Sequence, residues 1–178
     1  PAACVGNYLY SVGGYDGANI VNAFNVYDIA GDSWTETTGP ITGYGVALAA
    51  YAGKVWAFGG SGATATSNES WMYDPALDTW FRVADMPFGV SQAGAVAVGD
   101  YIYLIGGWAN FPYVQRYDPQ TDTWDVSGPQ LLIGRQGAVV GEYGNQIYVL
   151  GGGTGWTGMT SVETYDPYQW PGGTWLEN

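Results

Sequence analysis

The stretch YIYLIGG, residues 101–107, decides the fold of this chain because close variants of it recur at a regular interval. The variants are YLYSVGG, KVWAFGG and QIYVLGG, and successive glycine pairs lie 46, 47 and 45 residues apart. Each stretch is a short apolar or aromatic run that glycine ends, which is typical of a β-strand. Recurrence at this period indicates a repeat architecture, so the chain is a series of similar units.

Two further landmarks recur in the same order after each glycine pair. They are a Tyr-Asp pair, at Tyr27-Asp28, Tyr73-Asp74, Tyr117-Asp118 and Tyr165-Asp166, and then a tryptophan, at Trp34, Trp80, Trp124 and Trp175. The Asp-Pro-x-x-Asp segments between them predict turns, because Asp accepts backbone N–H groups and Pro fixes φ. Each unit therefore predicts four short strands: a, then b ending at Gly-Gly, c leading into Tyr-Asp, and d beginning near the tryptophan.

Sheets of four strands have two faces, and a single sheet cannot bury both of them alone. Stacking successive sheets around an axis buries them against each other, as in a β-propeller. We expect the paired glycines to let strand b approach the large tyrosine and tryptophan side chains of a neighbouring sheet. The chain then forms one segment, 1–178, with modules at about 1–42, 43–88, 89–133 and 134–178.

These landmarks resemble the kelch family, whose repeat has an apolar strand ending in Gly-Gly, then Tyr-Asp-Pro and a Trp. The resemblance covers essentially the whole chain and departs from the pattern at Ile29 and at the inserted Trp170 and Pro171. It implies an all-β, kelch-type β-propeller of four four-stranded blades. Both ends cut the repeat within a blade, so we expect an open arc or partial propeller, with self-association as one way to complete a ring.

The composition excludes several classes of function. The net charge is −12 with only four Lys and Arg residues, too few cations to neutralise many nucleic-acid phosphates or to bind an anionic membrane. No apolar run approaches the roughly 20 residues that span a bilayer, so we expect no membrane insertion. With no histidine and one cysteine, Cys4, the chain cannot form an internal disulfide, a Cys/His zinc site or a Ser-His-Asp triad. We therefore expect no catalytic residue, no metal and no cofactor.

The kelch resemblance implies ligand contacts on the loops that join b to c and d to the next a. The matching positions in this sequence are Tyr15, Asp16, Tyr44, Gln92, Trp108, Asn110, Arg135 and Trp156. The Arg135 guanidinium could hold a carboxylate with two hydrogen bonds, or it could satisfy loop carbonyls. The aromatic residues could anchor a protein partner, stack on sugars or pack against adjacent loops.

The sequence thus predicts a non-enzymatic binding scaffold that recognises a protein or peptide through its b–c and d–a loop face. The first alternative is a carbohydrate-binding module of a secreted or surface protein. The second is a fragment of a kelch-type enzyme whose catalytic residues lie outside this chain. The low Lys content with abundant Gly, Tyr and Trp suggests a secreted or cell-surface bacterial protein, and a cytoplasmic location is the alternative.

Overall fold

The structure is a computed structural model that describes residues 2–62 and 65–178. The first two sheets contain β1 (Ala3–Val5), β2 (Tyr8–Tyr15), β3 (Ile20–Asp28) and β4 (Ser33–Thr38), then β5 (Ala47–Tyr51), β6 (Lys54–Phe58), β7 (Ser70–Asp74) and β8 (Thr79–Val83). The third contains β9 (Gly94–Val98), β10 (Tyr101–Ile105), β11 (Val114–Asp118) and β12 (Thr123–Asp125). The rest of the chain forms β13 (Val139–Tyr143), β14 (Gln146–Leu150), the short β15 (Gly153–Thr154) and β16 (Thr157–Gly158), β17 (Val162–Tyr165), a 3-10 helix (Pro167–Gln169) and β18 (Leu176–Glu177).

Each repeat forms one antiparallel sheet with its strands in the order a, b, c, d. The fourth sheet has the order β13-β14-β17-β18, because the hairpin of β15 and β16 is inserted between its strands b and c. The all-β prediction of four four-stranded kelch-type blades is therefore confirmed. The chain divides into two compact units of two blades each, which we call unit 1 (Pro1–Ser91) and unit 2 (Gln92–Asn178).

Unit 1 is held together by a core between its two blades. Blade 1 contributes Ala3, Tyr10, Val12 and Phe24, and blade 2 contributes Leu48, Val55, Ala57 and Tyr73. The ring of Phe24 lies edge-on to Tyr73 at 4.7 Å and to Trp80 at 5.0 Å between ring centroids. Burial of these rings removes a large apolar area from water and is the main stabilisation of the blade pair.

Unit 2 repeats this arrangement with equivalent positions. Blade 3 contributes Val98, Tyr103, Ile105 and Val114, and blade 4 contributes Ile147, Val149, Tyr165 and Trp175. The inserted Trp170 adds to this core, because its indole lies edge-on to Tyr103 and its Nε1 donates to Asp125 over 2.6 Å. Burial raises the pKa of Tyr103 to about 12.

The aspartates of the c–d turns have the structural role that the sequence predicts. The first aspartate of each turn accepts a backbone N–H two residues further on, as Asp74 does from Ala76 at 3.0 Å. In the first three blades a second aspartate accepts the hydroxyl of the strand c tyrosine over 2.6 Å, in the pairs Tyr27–Asp32, Tyr73–Asp78 and Tyr117–Asp122. In blade 4 the inserted residues change this turn, and Tyr165 donates to the carbonyl of Gly172 instead.

The paired glycines have a different neighbour from the one we expected. A side chain at Gly59 would overlap the carbonyl oxygen of Val90, and one at Gly106 would overlap that of Arg135. The N–H of the following glycine donates to the same carbonyl over 2.8 Å, as in Gly107 to Arg135. The expectation of a close approach to neighbouring aromatic rings is therefore wrong: in the first three blades, the first glycine of each pair makes room for the backbone of the d–a loop.

Among the residues that the structure describes, no helix is long and apolar enough to cross a membrane.

Candidate functional site

Arg135 lies inside the protein, with no exposed side-chain surface. Its guanidinium pairs with Glu163 of β17 and donates to the carbonyl oxygens of Ile133, Gly151 and Ser161 over 3.1 to 3.2 Å. The guanidinium thus bonds to groups of the protein itself, which agrees with the second of the two roles considered for it, that of satisfying loop carbonyls. It is not presented to a carboxylate ligand in this structure.

Glu163 is the partner that the sequence reasoning missed. Its carboxylate accepts the backbone N–H groups of Leu132 and Ile133, at 2.7 and 3.2 Å, in addition to the guanidinium. The signal in the sequence is that Glu163 is an acidic residue within the short, otherwise uncharged strand β17. The ion pair fixes the d–a loop against blade 4 and leaves the Leu132 and Ile133 side chains exposed.

Trp108 lies on the b–c loop of blade 3, where 49% of its surface is exposed. The two residues that follow it, Ala109 and Asn110, both have left-handed backbone, with φ of 62° and 60°. Consecutive left-handed residues other than glycine are energetically unfavourable, and such strain concentrates at functional sites. The strained pair directly follows the exposed Trp108, which makes this loop a candidate contact site.

Trp156 lies at the tip of the β15–β16 hairpin and is 100% exposed. Gly155 precedes it with φ of 62°, as in a two-residue hairpin turn that begins with glycine. The Gly155 N–H donates to the side-chain oxygen of Asn110, and its carbonyl accepts from the side chain of Gln136. The loops on either side of the hairpin thus hold its tip, so Trp156 is presented on a fixed support.

Gln92 opens unit 2 and is half-buried, with a left-handed φ of 56°. Its carbonyl accepts the N–H of Gly137 over 2.8 Å. The residue therefore connects the starts of strand a in the two blades of unit 2. We call segments 107–113, 126–138 and 151–161 together the unit 2 loop face; Trp108, Asn110, Arg135 and Trp156 all lie within it, and Gln92 borders it.

The predicted residues of unit 1 lie on the corresponding loops of its blades. Tyr15 is exposed at the end of β2 and lines an open concavity of about 550 Å³ with Thr42 and Gly62. Tyr44 is also exposed, and its backbone exchanges two hydrogen bonds with Ser61. These two aromatic residues remain available for contact.

Asp16 is exposed, and its carboxylate organises its own turn. Its Oδ1 accepts the backbone N–H groups of Asn19 and Ala18, at 2.6 and 2.8 Å. These two bonds hold the pKa of Asp16 below its ordinary value, and the bond from Asn19 has the larger effect. The residue therefore fixes the conformation of the turn that directly follows Tyr15.

The described residues contain no group of three His, Cys, Asp or Glu side chains that could hold a metal ion. The unit 2 loop face and the equivalent loops of unit 1 instead offer exposed aromatic side chains on loops that are held by hydrogen bonds. Such surface suits contact with another molecule, since aromatic anchors contribute most of the energy of many interfaces.

Comparison with known proteins gives kelch repeats along the chain. Residues 1–152 match the family model of the KLHDC2/KLHL20/DRC7 Kelch-repeats domain, and residues 134–175 match that of the Kelch motif. Kelch-like protein 23 of Mus musculus is 30% identical over an alignment of 177 positions that covers 93% of this chain and 30% of that protein. Kelch-like protein terF of Aspergillus terreus is 34% identical over an alignment that covers 85% of this chain and 38% of that protein.

This chain spans about a third of the length of these curated relatives. The relatives come from a mammal and a fungus, and these sources do not support the bacterial, secreted origin that the composition suggests.

Proposed function

Because this chain belongs to the kelch-repeat family of β-propellers, we propose that it is a non-catalytic scaffold that binds a protein or peptide partner. The contact surface is the b–c and d–a end of the blades, with the unit 2 loop face as its main part. In unit 1, considered by itself, Tyr15 and Tyr44 are the exposed aromatic residues on the equivalent loops. The cytoplasmic alternative is the location that we propose for this activity.

One observation carries the proposal: Trp156 is 100% exposed while Asn110 and Gln136 hold the hairpin that presents it. Leaving an indole wholly in water is unfavourable, and a partner that covers it gains the transfer free energy of that surface. Because the hairpin is already ordered, little conformational entropy is lost on binding. These are the properties of an interface anchor.

Binding to a phage-displayed random peptide library, selected on the whole chain, tests the proposal. We expect enriched peptides whose affinity falls at least about tenfold in Trp156→Ala, since an anchor contributes roughly 2 kcal/mol or more. Affinities are measured by fluorescence anisotropy with labelled peptides. The matched control is Tyr143→Ala, because Tyr143 is 79% exposed but ends β13 at the other end of blade 4.

Peptides that bind wild type and Trp156→Ala equally, or that require Tyr143, would contradict the proposed surface. Circular dichroism of both variants shows whether the fold is kept, and a fully exposed side chain should be removable with little loss of stability.

Carbohydrate recognition is the second candidate, and the same exposed indole favours it because aromatic rings also stack on sugars. A glycan array probed with wild type and Trp156→Ala distinguishes the two. Trp156-dependent binding of oligosaccharides, without any Trp156-dependent peptide, would replace the protein partner with a glycan.

A further inference from the structure

We infer, resting on the proposed function, that the unit 2 loop face takes an uncharged partner segment that contacts its exposed apolar residues through an aromatic or aliphatic side chain. The inference specifies the chemistry of the partner and its dependence on salt. It follows from the charges, the exposed apolar residues and the hydrogen bonds of this face.

The unit 2 loop face has one charged residue in its sequence, Arg135. That residue and its partner Glu163 are both fully buried and neutralise each other. All residues of the three segments are described by the structure. A partner that approaches this face therefore meets no exposed formal charge.

Lack of charge is a local property of this face and not of the chain, whose net charge is −12. The opposite end of the blades of unit 2 carries exposed acids in or beside its turns, such as Asp100, Asp122 and Glu142. The b–c and d–a loops of unit 1 carry Asp16 and Asp85, which are exposed as well. Acidic residues are thus excluded from the unit 2 loop face while they occupy comparable loops elsewhere.

Exposed apolar side chains take the place of charges on these loops. Leu132 is 56% exposed, and it accompanies Ile133 on the d–a loop and Trp108 and Trp156 on the b–c loops. Exposed apolar patches mark interaction sites, and the centres of interfaces are depleted in charge and enriched in aromatic residues. A charged partner group placed here would lose its water without gaining an ion pair, which is unfavourable.

The amide side chains next to Trp156 are already engaged in the fold. Asn110 accepts from the N–H of Gly155, and Gln136 donates to the carbonyl of the same residue. Fewer groups are left to pair with a ligand rich in hydroxyls. Together with the exposed Leu132 and Ile133, which offer apolar contact, this arrangement favours an apolar peptide segment over a sugar.

Salt titration of peptides from the selection tests the inference. The probes are peptides whose binding requires Trp156, and their affinities are measured in about 0.05 M and about 0.5 M NaCl, which span strong and weak screening. We expect the affinity to change less than about threefold across this range. Replacing the aromatic or aliphatic anchor of the peptide by alanine, or Leu132 by alanine, should reduce affinity at least about fivefold.

Four results would overturn the inference, and they show whether the proposed function falls with it. Trp156-dependent peptides whose affinity falls more than about tenfold with salt, or that need an acidic or basic residue, would contradict the uncharged partner and leave the binding function standing. An absence of Trp156-dependent peptides would remove both. Trp156-dependent binding of a neutral oligosaccharide in a parallel titration would assign the face to sugars.

Discussion

Arg135 and Glu163 connect the unit 2 loop face to the interior of blade 4. The ion pair is buried, and its two partners also bond the backbone of the loops on both sides. Separating buried charges leaves one of them without a partner in a medium of low polarity, which is far more costly than losing an exposed pair. The pair thus serves loop geometry, and ligand contact is left to exposed residues.

Replacing Arg135 by methionine should lower the free energy of unfolding by about 3–5 kcal/mol, because Glu163 would stay buried without a counter-charge. Adding Glu163→Gln to that variant should recover part of the loss. Urea denaturation followed by tryptophan fluorescence measures both. A loss below about 1 kcal/mol in Arg135→Met would show that the pair is not buried in solution.

The tyrosine–aspartate bonds of the c–d turns predict a dependence on alkaline pH. Burial, and next the hydrogen bond to its aspartate, raise the pKa of Tyr73 and likewise of Tyr117 above the ordinary value. Because the folded state holds these protons more tightly than the unfolded state, stability is fully present below about pH 10 and falls as pH rises beyond it.

Tyr73→Phe combined with Tyr117→Phe should be less stable at neutral pH by about 1 kcal/mol for each lost bond. Its free energy of unfolding should also decline less steeply than that of wild type above about pH 10. Chemical denaturation at a series of alkaline pH values gives both slopes. Parallel slopes for the two proteins would refute the role of these tyrosines.

At the level of elements, the junction between strand b and the d–a loop depends on glycine. Gly59 and Gly53 both have left-handed φ, at 66° and 73°, but only Gly59 lies against a backbone carbonyl, that of Val90. Gly53→Ala should therefore cost about 1 kcal/mol from backbone strain alone. Gly59→Ala should cost about 2–5 kcal/mol, since overpacking adds to the strain. Equal losses in the two variants, measured by thermal unfolding, would show that the close approach is unimportant.

The β15–β16 hairpin depends on the loop of the preceding blade. Asn110→Gly removes the acceptor for the Gly155 N–H without adding left-handed strain, whereas Asn110→Asp keeps an acceptor. Hydrogen exchange of residues 153–158 should therefore become faster in the glycine variant and stay near that of wild type in the aspartate variant. Unchanged exchange in Asn110→Gly would mean that the hairpin is fixed by other contacts.

For the molecule as a whole, the repeat landmarks were sufficient to predict the four blades. Gly-Gly, Tyr-Asp and Trp determine where strands b, c and d lie, because their backbone and packing needs are local. The neighbours of the glycines and the fate of Arg135 depend on contacts between segments far apart in sequence, such as Arg135 with Glu163. The hairpin that presents Trp156 was not predicted, because it lies in a glycine-rich segment where only Gly155-Trp156 indicates a turn.

The central claim is that a partner binds at the b–c and d–a end of the blades. Hydrogen exchange of the whole chain, with and without a selected peptide, tests this claim most directly. Blade topology places the b–c and d–a loops at one end and the a–b and c–d turns at the other. We predict slower exchange in segments 107–113, 126–138 and 151–161, with the turns around Asp122 and Glu142 unchanged. Slower exchange confined to those turns would contradict the account.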